Sequence, residues 1–100
     1  MKKTNKSVVA KDAYELAEVL GLSPAYGAEI EVRSDLNDKI IEVVQAKKLT
    51  HAQVAKLAHT SRTRVTAIMN RNTGDISTDL LLRVLASIGI RATLKFKSAA

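Results

Sequence analysis

The chain has 100 residues, which is enough for one small domain with a modest core. Its 16 Lys and Arg against 10 Asp and Glu give a net charge of +6, which favours a polyanionic partner over an acidic one. It has no cysteine, which excludes a disulfide framework and thiolate chemistry, and its apolar runs are too short for a membrane span or a signal peptide, so we expect a soluble, cytoplasmic protein.

The first two predicted segments precede the main domain. Residues 1–11 carry four lysines without periodicity and are predicted to be a mobile basic arm, which either follows a DNA groove or stays solvated as a tail. Residues 12–33 are predicted to be an N-terminal helical extension. Asp12 can cap its first helix and Gly21 can end it. The apolar side of that helix either docks on the main domain or helps to hold a dimer partner or a toxin.

Residues 34–89 are predicted to be the main, DNA-binding domain, and its first helix is predicted to support the others. Ser23 and Pro24 form a helix-start signal, but a glycine and β-branched residues follow, so residues 24–33 are either helical or irregular. Ser34 caps a stronger helix. Its predicted buried stripe consists of Leu36, Ile40, Val43 and Val44. Its basic C-terminal end, which this interpretation places near the DNA backbone, consists of Lys47 and Lys48.

Two short helices joined by a tight turn are predicted over residues 49–71. Thr50 is a good N-cap, and Gln53 stands three residues later, as in a capping box. Ser61 is the N-cap of the second helix. Apolar residues recur at helical spacing in both: Val54, Ala55, Leu57 and Ala58, then Val65, Ile68 and Met69. Two helices and a short turn match the helix-turn-helix motif.

The second helix of this pair exposes basic and hydroxyl side chains in its first turns, where recognition helices meet base edges in the major groove. The predicted base-contacting residues are Arg62, Thr63, Arg64 and Thr66. The arginines can hold a guanine or a phosphate. The threonines can hydrogen-bond to a base or a phosphate, or pack their methyl groups on a thymine methyl. The predicted phosphate-contacting residues, near the ends of both helices, are Thr50, His51, Asn70 and Arg71.

A last helix and a strand are predicted after the motif. Ser77 or Thr78 caps a helix that ends at Gly89, with Leu80, Leu81, Val84, Leu85 and Ile88 on its apolar side. Residues 90–97 alternate between apolar and polar, as in a half-buried strand. This strand can pair with a second copy across a two-fold axis, with residues 28–33, or with a partner protein. The first arrangement makes a homodimer that faces a palindromic operator.

No catalytic residue, metal site or cofactor is predicted, and we do not expect an enzyme. The two histidines lie eight positions apart, and the sequence has neither a P-loop nor a dinucleotide-binding glycine pattern. His51 and His59 could be metal ligands or pH sensors, but the favoured interpretation is that His51 begins a helix and His59 lies in the turn. Only three aromatic residues are present, so no stacking platform for single strands is visible, which favours duplex DNA over RNA.

Residues 49–71 resemble the helix-turn-helix of the XRE, or phage-repressor-like, family, whose pattern is L-T-Q-x-x-x-A-x-x-x-G-V-S-x-x-x-V-S. Together with the runs that begin at Ala28, Ile76 and Gly89, they are similar to the HigA-like antitoxin branch over residues 28–97. Three residues depart from the pattern: His51 replaces Gln, His59 replaces Gly, and Thr60 replaces Val or Ile. These departures bear on the DNA sequence preference and on the packing of the turn.

The predicted fold is therefore all-α, a compact helical bundle with a helix-turn-helix and a C-terminal strand that pairs in a dimer. The resemblance implies a small dimeric repressor that binds its own operator and, in many members, neutralises a toxin encoded beside it. The predicted function is that of a transcriptional repressor that binds duplex DNA sequence-specifically and regulates its own operon as the antitoxin of a toxin-antitoxin pair. The alternative is a protein-interaction module that neutralises a toxin with little DNA binding of its own.

Overall fold

The computed structural model describes residues 20–21 and 24–98. The predicted arm over residues 1–11 and the helix expected after Asp12 lie outside the described residues. The chain has two compact units, residues 1–35 and 36–100. In the first unit, the described part consists of a turn at residues 20–21 and the beginning of a helix. Gly21 has a φ of 75°, which a glycine adopts without steric cost.

The described residues form four helices and no strand. The helices are α1 (Pro24–Ala46), α2 (His51–Ala58), α3 (Arg62–Met69) and α4 (Thr78–Ser87). The start of α1 agrees with the helix-start signal at Pro24, whereas the start predicted at Ser34 is wrong because α1 continues through that residue. The glycine and β-branched residues before Ser34 lower helix propensity by at most about 1 kcal/mol each, which does not end the helix. In the part of the chain that is described, none of the helices is long and apolar enough to cross a membrane.

The hydrophobic core of the second unit lies between the four apolar stripes of the helices. Its buried members are Leu36, Ile40, Val43, Val44, Val54, Ala55, Ala58, Val65, Ile68, Ile76, Leu80, Leu81, Val84, Leu85 and Ile88. The predicted stripes are thus confirmed except at Leu57, which is 50% exposed, and at Met69, which is partly buried against the core. The short helix α2 packs against both α3 and α4, so it positions the following turn and helix.

Polar side chains from distant elements bind the last carbonyl groups of three helices. Such carbonyls have no partner within their own helix, and a donor or a cation there is favourable. The three hydrogen bonds run from Asn37 Nδ2 to the Ile68 carbonyl (2.9 Å), from Arg83 Nε to the Ala58 carbonyl (3.3 Å), and from Lys47 Nζ to the Ile88 carbonyl (2.7 Å). The ammonium group of Lys47, expected near the DNA backbone, is therefore engaged at the end of α4.

The C-terminal segment differs from its prediction. Residues 90–98 have no regular secondary structure, so the strand expected over residues 90–97 does not form within the single chain. The hairpin with residues 28–33 is wrong because those residues belong to α1. A lone strand leaves its backbone groups without partners, which explains why alternation alone does not produce one here. Leu94 and Phe96 are 80% and 89% exposed, and strand pairing with a second copy stays a prediction.

Candidate nucleic-acid interface

The start of α2 is fixed by a complete capping box. The Thr50 hydroxyl accepts a hydrogen bond from the backbone N–H of Gln53 at 3.1 Å, and the Thr50 N–H donates to Gln53 Oε1 at 2.8 Å. Both predicted partners are therefore confirmed. The arrangement makes His51 the first helical residue and leaves the Thr50 hydroxyl hydrogen available to an incoming acceptor, because that hydroxyl accepts from Gln53.

The turn between α2 and α3 is short and closed by backbone hydrogen bonds. His59 is left-handed, with φ 55° and ψ 48°. Its N–H donates to the Lys56 carbonyl at 3.3 Å, and the Thr60 N–H donates to the Ala55 carbonyl at 3.0 Å. These two bonds form a Schellman motif, which usually has glycine at the left-handed position. Ser61 then caps α3, as predicted, by accepting from a backbone N–H at 3.2 Å.

The side chain of Thr60 is poorly matched to this turn. Its hydroxyl oxygen is buried and has no hydrogen-bonding partner in the described structure. Leaving a buried polar atom unpaired costs about 1–3 kcal/mol. The departure from an apolar residue, noted in the sequence, therefore destabilises the turn.

The first turn of α3 presents the predicted base-contacting side chains to solvent. Arg62, Thr63 and Arg64 are all exposed, while Val65 and Ile68 are buried against the core. The helix is thus held from one side and open on the other. Guanidinium and hydroxyl groups on such a helix can hydrogen-bond to base edges or phosphates.

Thr66 is half-buried, unlike the other predicted base-contacting residues. Its Oγ1 lies 2.8 Å from Nδ1 of His51, and the imidazole tautomer decides which atom donates. The bond joins the start of α2 to the middle of α3. The structure thus brings together one predicted base-contacting residue and one predicted phosphate-contacting residue.

The end of α3 carries the remaining predicted phosphate-contacting residues. Asn70 is the exposed C-cap, and Arg71 is left-handed with φ 58°. The Arg71 guanidinium donates to Asp38 Oδ1 at 2.6 Å, and both side chains are 57% exposed. An ion pair this exposed is worth less than about 1 kcal/mol, so a phosphate can replace the carboxylate.

Along the chain, the charged residues of the motif and its flanks are all basic. Residues 43–74 contain six Lys or Arg and no Asp or Glu. One of the six is Lys48, an exposed residue just before α2 that is left-handed with φ 54°. Sequence reasoning from individual helices missed this block, although the sign of charge along the chain would have revealed it. Such a cationic surface attracts the phosphate backbone of nucleic acids.

Comparison with known proteins identifies the same region. A family model described as a helix-turn-helix domain matches residues 19–97, most of the chain. Neither the curated proteins nor the solved structures yield a match. A domain of this family indicates a DNA-binding regulator and is typically non-enzymatic. The match includes α2, α3 and the turn between them.

Proposed function

The chain belongs to the helix-turn-helix domain family, and from this premise we propose that it is a sequence-specific repressor of the phage-repressor-like XRE type. The observation that carries the proposal is the exposed first turn of α3. Two arginines there flank a threonine, and the opposite face of the helix is anchored in the core. A rigidly held helix can present these groups to the major groove in one orientation, which is what sequence discrimination requires.

Two groups of side chains divide the work. We assign base contacts to Arg62, Thr63, Arg64 and Thr66, and phosphate contacts to Thr50, His51, Asn70 and Arg71. The second group stands at the two ends of the motif, at the start of α2 and just beyond α3. Contacts there fix the position of the protein on the duplex, and contacts from α3 then read the bases.

Repression would require a stable complex at a promoter, and a homodimer on a palindromic operator provides it. The exposed apolar side chains of Leu94 and Phe96, in a segment with a period of two, support strand pairing between two copies. The two copies of α3 would then lie about one DNA turn apart. Occlusion of the promoter of its own operon, in the cytoplasm where that DNA lies, completes the proposed mechanism.

The test is the affinity of the purified protein for the DNA upstream of its own gene, compared with random duplex at several salt concentrations. We expect a preference of roughly a thousandfold or more and an affinity that falls steeply as salt rises. Arg62→Ala should weaken operator binding by about 1–3 kcal/mol and relax the preference at one position. Lys39→Ala removes one exposed charge outside both the motif and the C-terminal segment and is the matched control. Equal binding to both duplexes would contradict the proposal.

A second candidate function is toxin neutralisation, as the similarity to the HigA-like branch suggests. Leu94 and Phe96 favour it as well, because exposed apolar side chains in an unpaired segment can add a strand to a partner. The test is co-expression with the product of the neighbouring reading frame. Growth that is rescued by the full chain, but not by a chain that lacks residues 90–98, would support this role. DNA binding without any rescue of growth would leave repression as the only function.

A further inference from the structure

The hydrogen bond between His51 and Thr66 constrains how Thr66 can meet a base. Thr66 has two branches on Cβ, a hydroxyl and a methyl group. Whichever atom donates, Oγ1 stays 2.8 Å from the imidazole Nδ1, beside the start of α2. In the described structure this is the only hydrogen bond of the Thr66 side chain. β-Branched side chains have few accessible rotamers in a helix, so holding the hydroxyl also fixes the methyl group.

Thr63 provides the contrast, one turn earlier on the same helix. It is exposed, and its hydroxyl has no hydrogen-bonding partner among the described residues. Thr63 can therefore rotate to donate to, or accept from, a base edge. Thr66 cannot rotate in this way without giving up its bond to His51. The two threonines of α3 are thus chemically different, although the sequence alone makes them equivalent.

We infer that His51 is a positioning residue that turns Thr66 into a reader of thymine. The bond directs the hydroxyl toward the start of α2, so the branch free to turn to the major groove is the methyl group. Thymine is the base that presents a methyl group there, and apolar contact with it distinguishes thymine from the other bases. This inference rests on the proposed DNA-binding function and adds one base preference in each half-site.

The experiment begins with the wild-type protein and a duplex selected from a randomised library. Each thymine of the selected duplex is replaced in turn by deoxyuridine, which lacks the 5-methyl group. We expect a loss of about fourfold at one position of each half-site, the equivalent of burying one methyl group. This measurement needs no variant, so a folding defect cannot obscure it.

Two substitutions then separate the two branches of Thr66. Thr66→Val places a methyl group on both branches of Cβ, so the preference for thymine over deoxyuridine should persist even without the bond to His51. Thr66→Ser keeps the hydroxyl and removes the methyl group, so the preference should vanish at that position alone. Thr63→Ser is the matched control and should leave that position unchanged. Thermal unfolding of each variant verifies that it is folded.

His51→Ala tests the positioning role itself. Releasing the Thr66 hydroxyl should weaken the thymine preference at the same position, whereas a purely structural or phosphate-contacting role would weaken binding to all duplexes alike. The inference predicts one position in each half-site where deoxyuridine weakens binding of the wild type but not of Thr66→Ser. If the selected duplex has no such position, this inference alone is overturned. Loss of the preference in Thr66→Val would also overturn it. Failure of wild type to select any duplex would overturn the proposed function together with it.

Discussion

All four described helices end in the same pair of backbone hydrogen bonds, but the residue at the left-handed position differs. At the end of α4, outside the motif, it is Gly89, with φ 92°. At the ends of α1, α2 and α3 it is Lys48, His59 or Arg71, with φ between 54° and 58°. An L-residue in this conformation costs about 1–2 kcal/mol, which glycine avoids. The helix ends around the motif therefore retain strain that the end of α4 does not.

The difference indicates that, around the motif, the side chains of these residues are kept although glycine would relieve the backbone strain. A cation near a helix C-terminus recovers about 0.3–1 kcal/mol through the helix dipole, which offsets part of the strain. Lys48 and Arg71 flank α2 and α3, where the proposed complex would give them phosphate contacts. Strained backbone of this kind concentrates at functional sites.

The largest effect should come from the residue that holds the end of α3 in place. Asn37 is 5% exposed and donates to the Ile68 carbonyl. Asn37→Ala should lower the free energy of unfolding by about 2 kcal/mol, because the Ile68 carbonyl loses one of its two partners, the other being the Arg71 N–H, and a cavity remains. Urea denaturation measures it, with the exposed Asn70→Ala as control. A loss no greater than that of the control would show that the end of α3 does not depend on Asn37.

The second prediction concerns the glycine end. An alanine at position 89 would have to adopt the φ of 92° that Gly89 has. Its Cβ would also lie 3.1 Å from Lys47 Nζ, which binds the Ile88 carbonyl. Gly89→Ala should therefore destabilise the protein by about 1–2 kcal/mol. Gly74→Ala is the matched control, because its Cβ would meet nothing within 4 Å. If both glycines tolerate alanine equally in thermal unfolding, the contrast between the helix ends loses its energetic basis.

The third prediction concerns the turn that follows α2. Thr60→Val replaces the buried, unpaired hydroxyl with a methyl group of similar shape, so the free energy of unfolding should rise by about 1 kcal/mol. Thr93→Val, in the exposed C-terminal segment, should change stability little. A destabilised Thr60→Val protein in chemical denaturation would mean that this hydroxyl has a hydrogen-bonding partner in solution.

The smallest effect on stability should come from the strained positions themselves. Lys48→Gly should raise the free energy of unfolding by no more than about 0.5 kcal/mol, because the relief of strain is offset by the added entropy of the unfolded chain and by loss of the cation at the end of α1. It should also weaken binding to all duplexes and reduce the salt slope by about one. His59→Gly relieves a similar strain and should leave the salt slope unchanged. A Lys48→Gly protein with an unaltered salt slope would remove Lys48 from the interface.

The features that the sequence predicted correctly are local ones. The caps at Thr50, Ser61 and Ser77 bind backbone groups three residues away, and the buried stripes follow the helical period. Both signals are complete within one or two turns of chain. The family match to a helix-turn-helix domain agrees with the motif that these signals defined.

The features that the sequence did not predict join distant residues. The bonds from Asn37 to Ile68 and from Lys47 to Ile88 span 31 and 41 positions, and the bond from His51 to Thr66 spans 15. The repeat of apolar residues along the sequence does not predict such pairs, because they depend on how the helices pack. The exposure of Leu57 and the absence of a strand over residues 90–97 have the same origin, since both depend on which neighbours are present.

The location of the DNA interface is tested most directly by the backbone amide signals of the protein during titration with its selected duplex. We predict that the largest shifts fall at residues 48–51, 61–66 and 70–72, while α4 and Gly89 change little. That pattern would place the strained, basic helix ends and the first turns of α3 at the DNA. Shifts centred on α4 or on residues 90–98, with α3 unaffected, would contradict it.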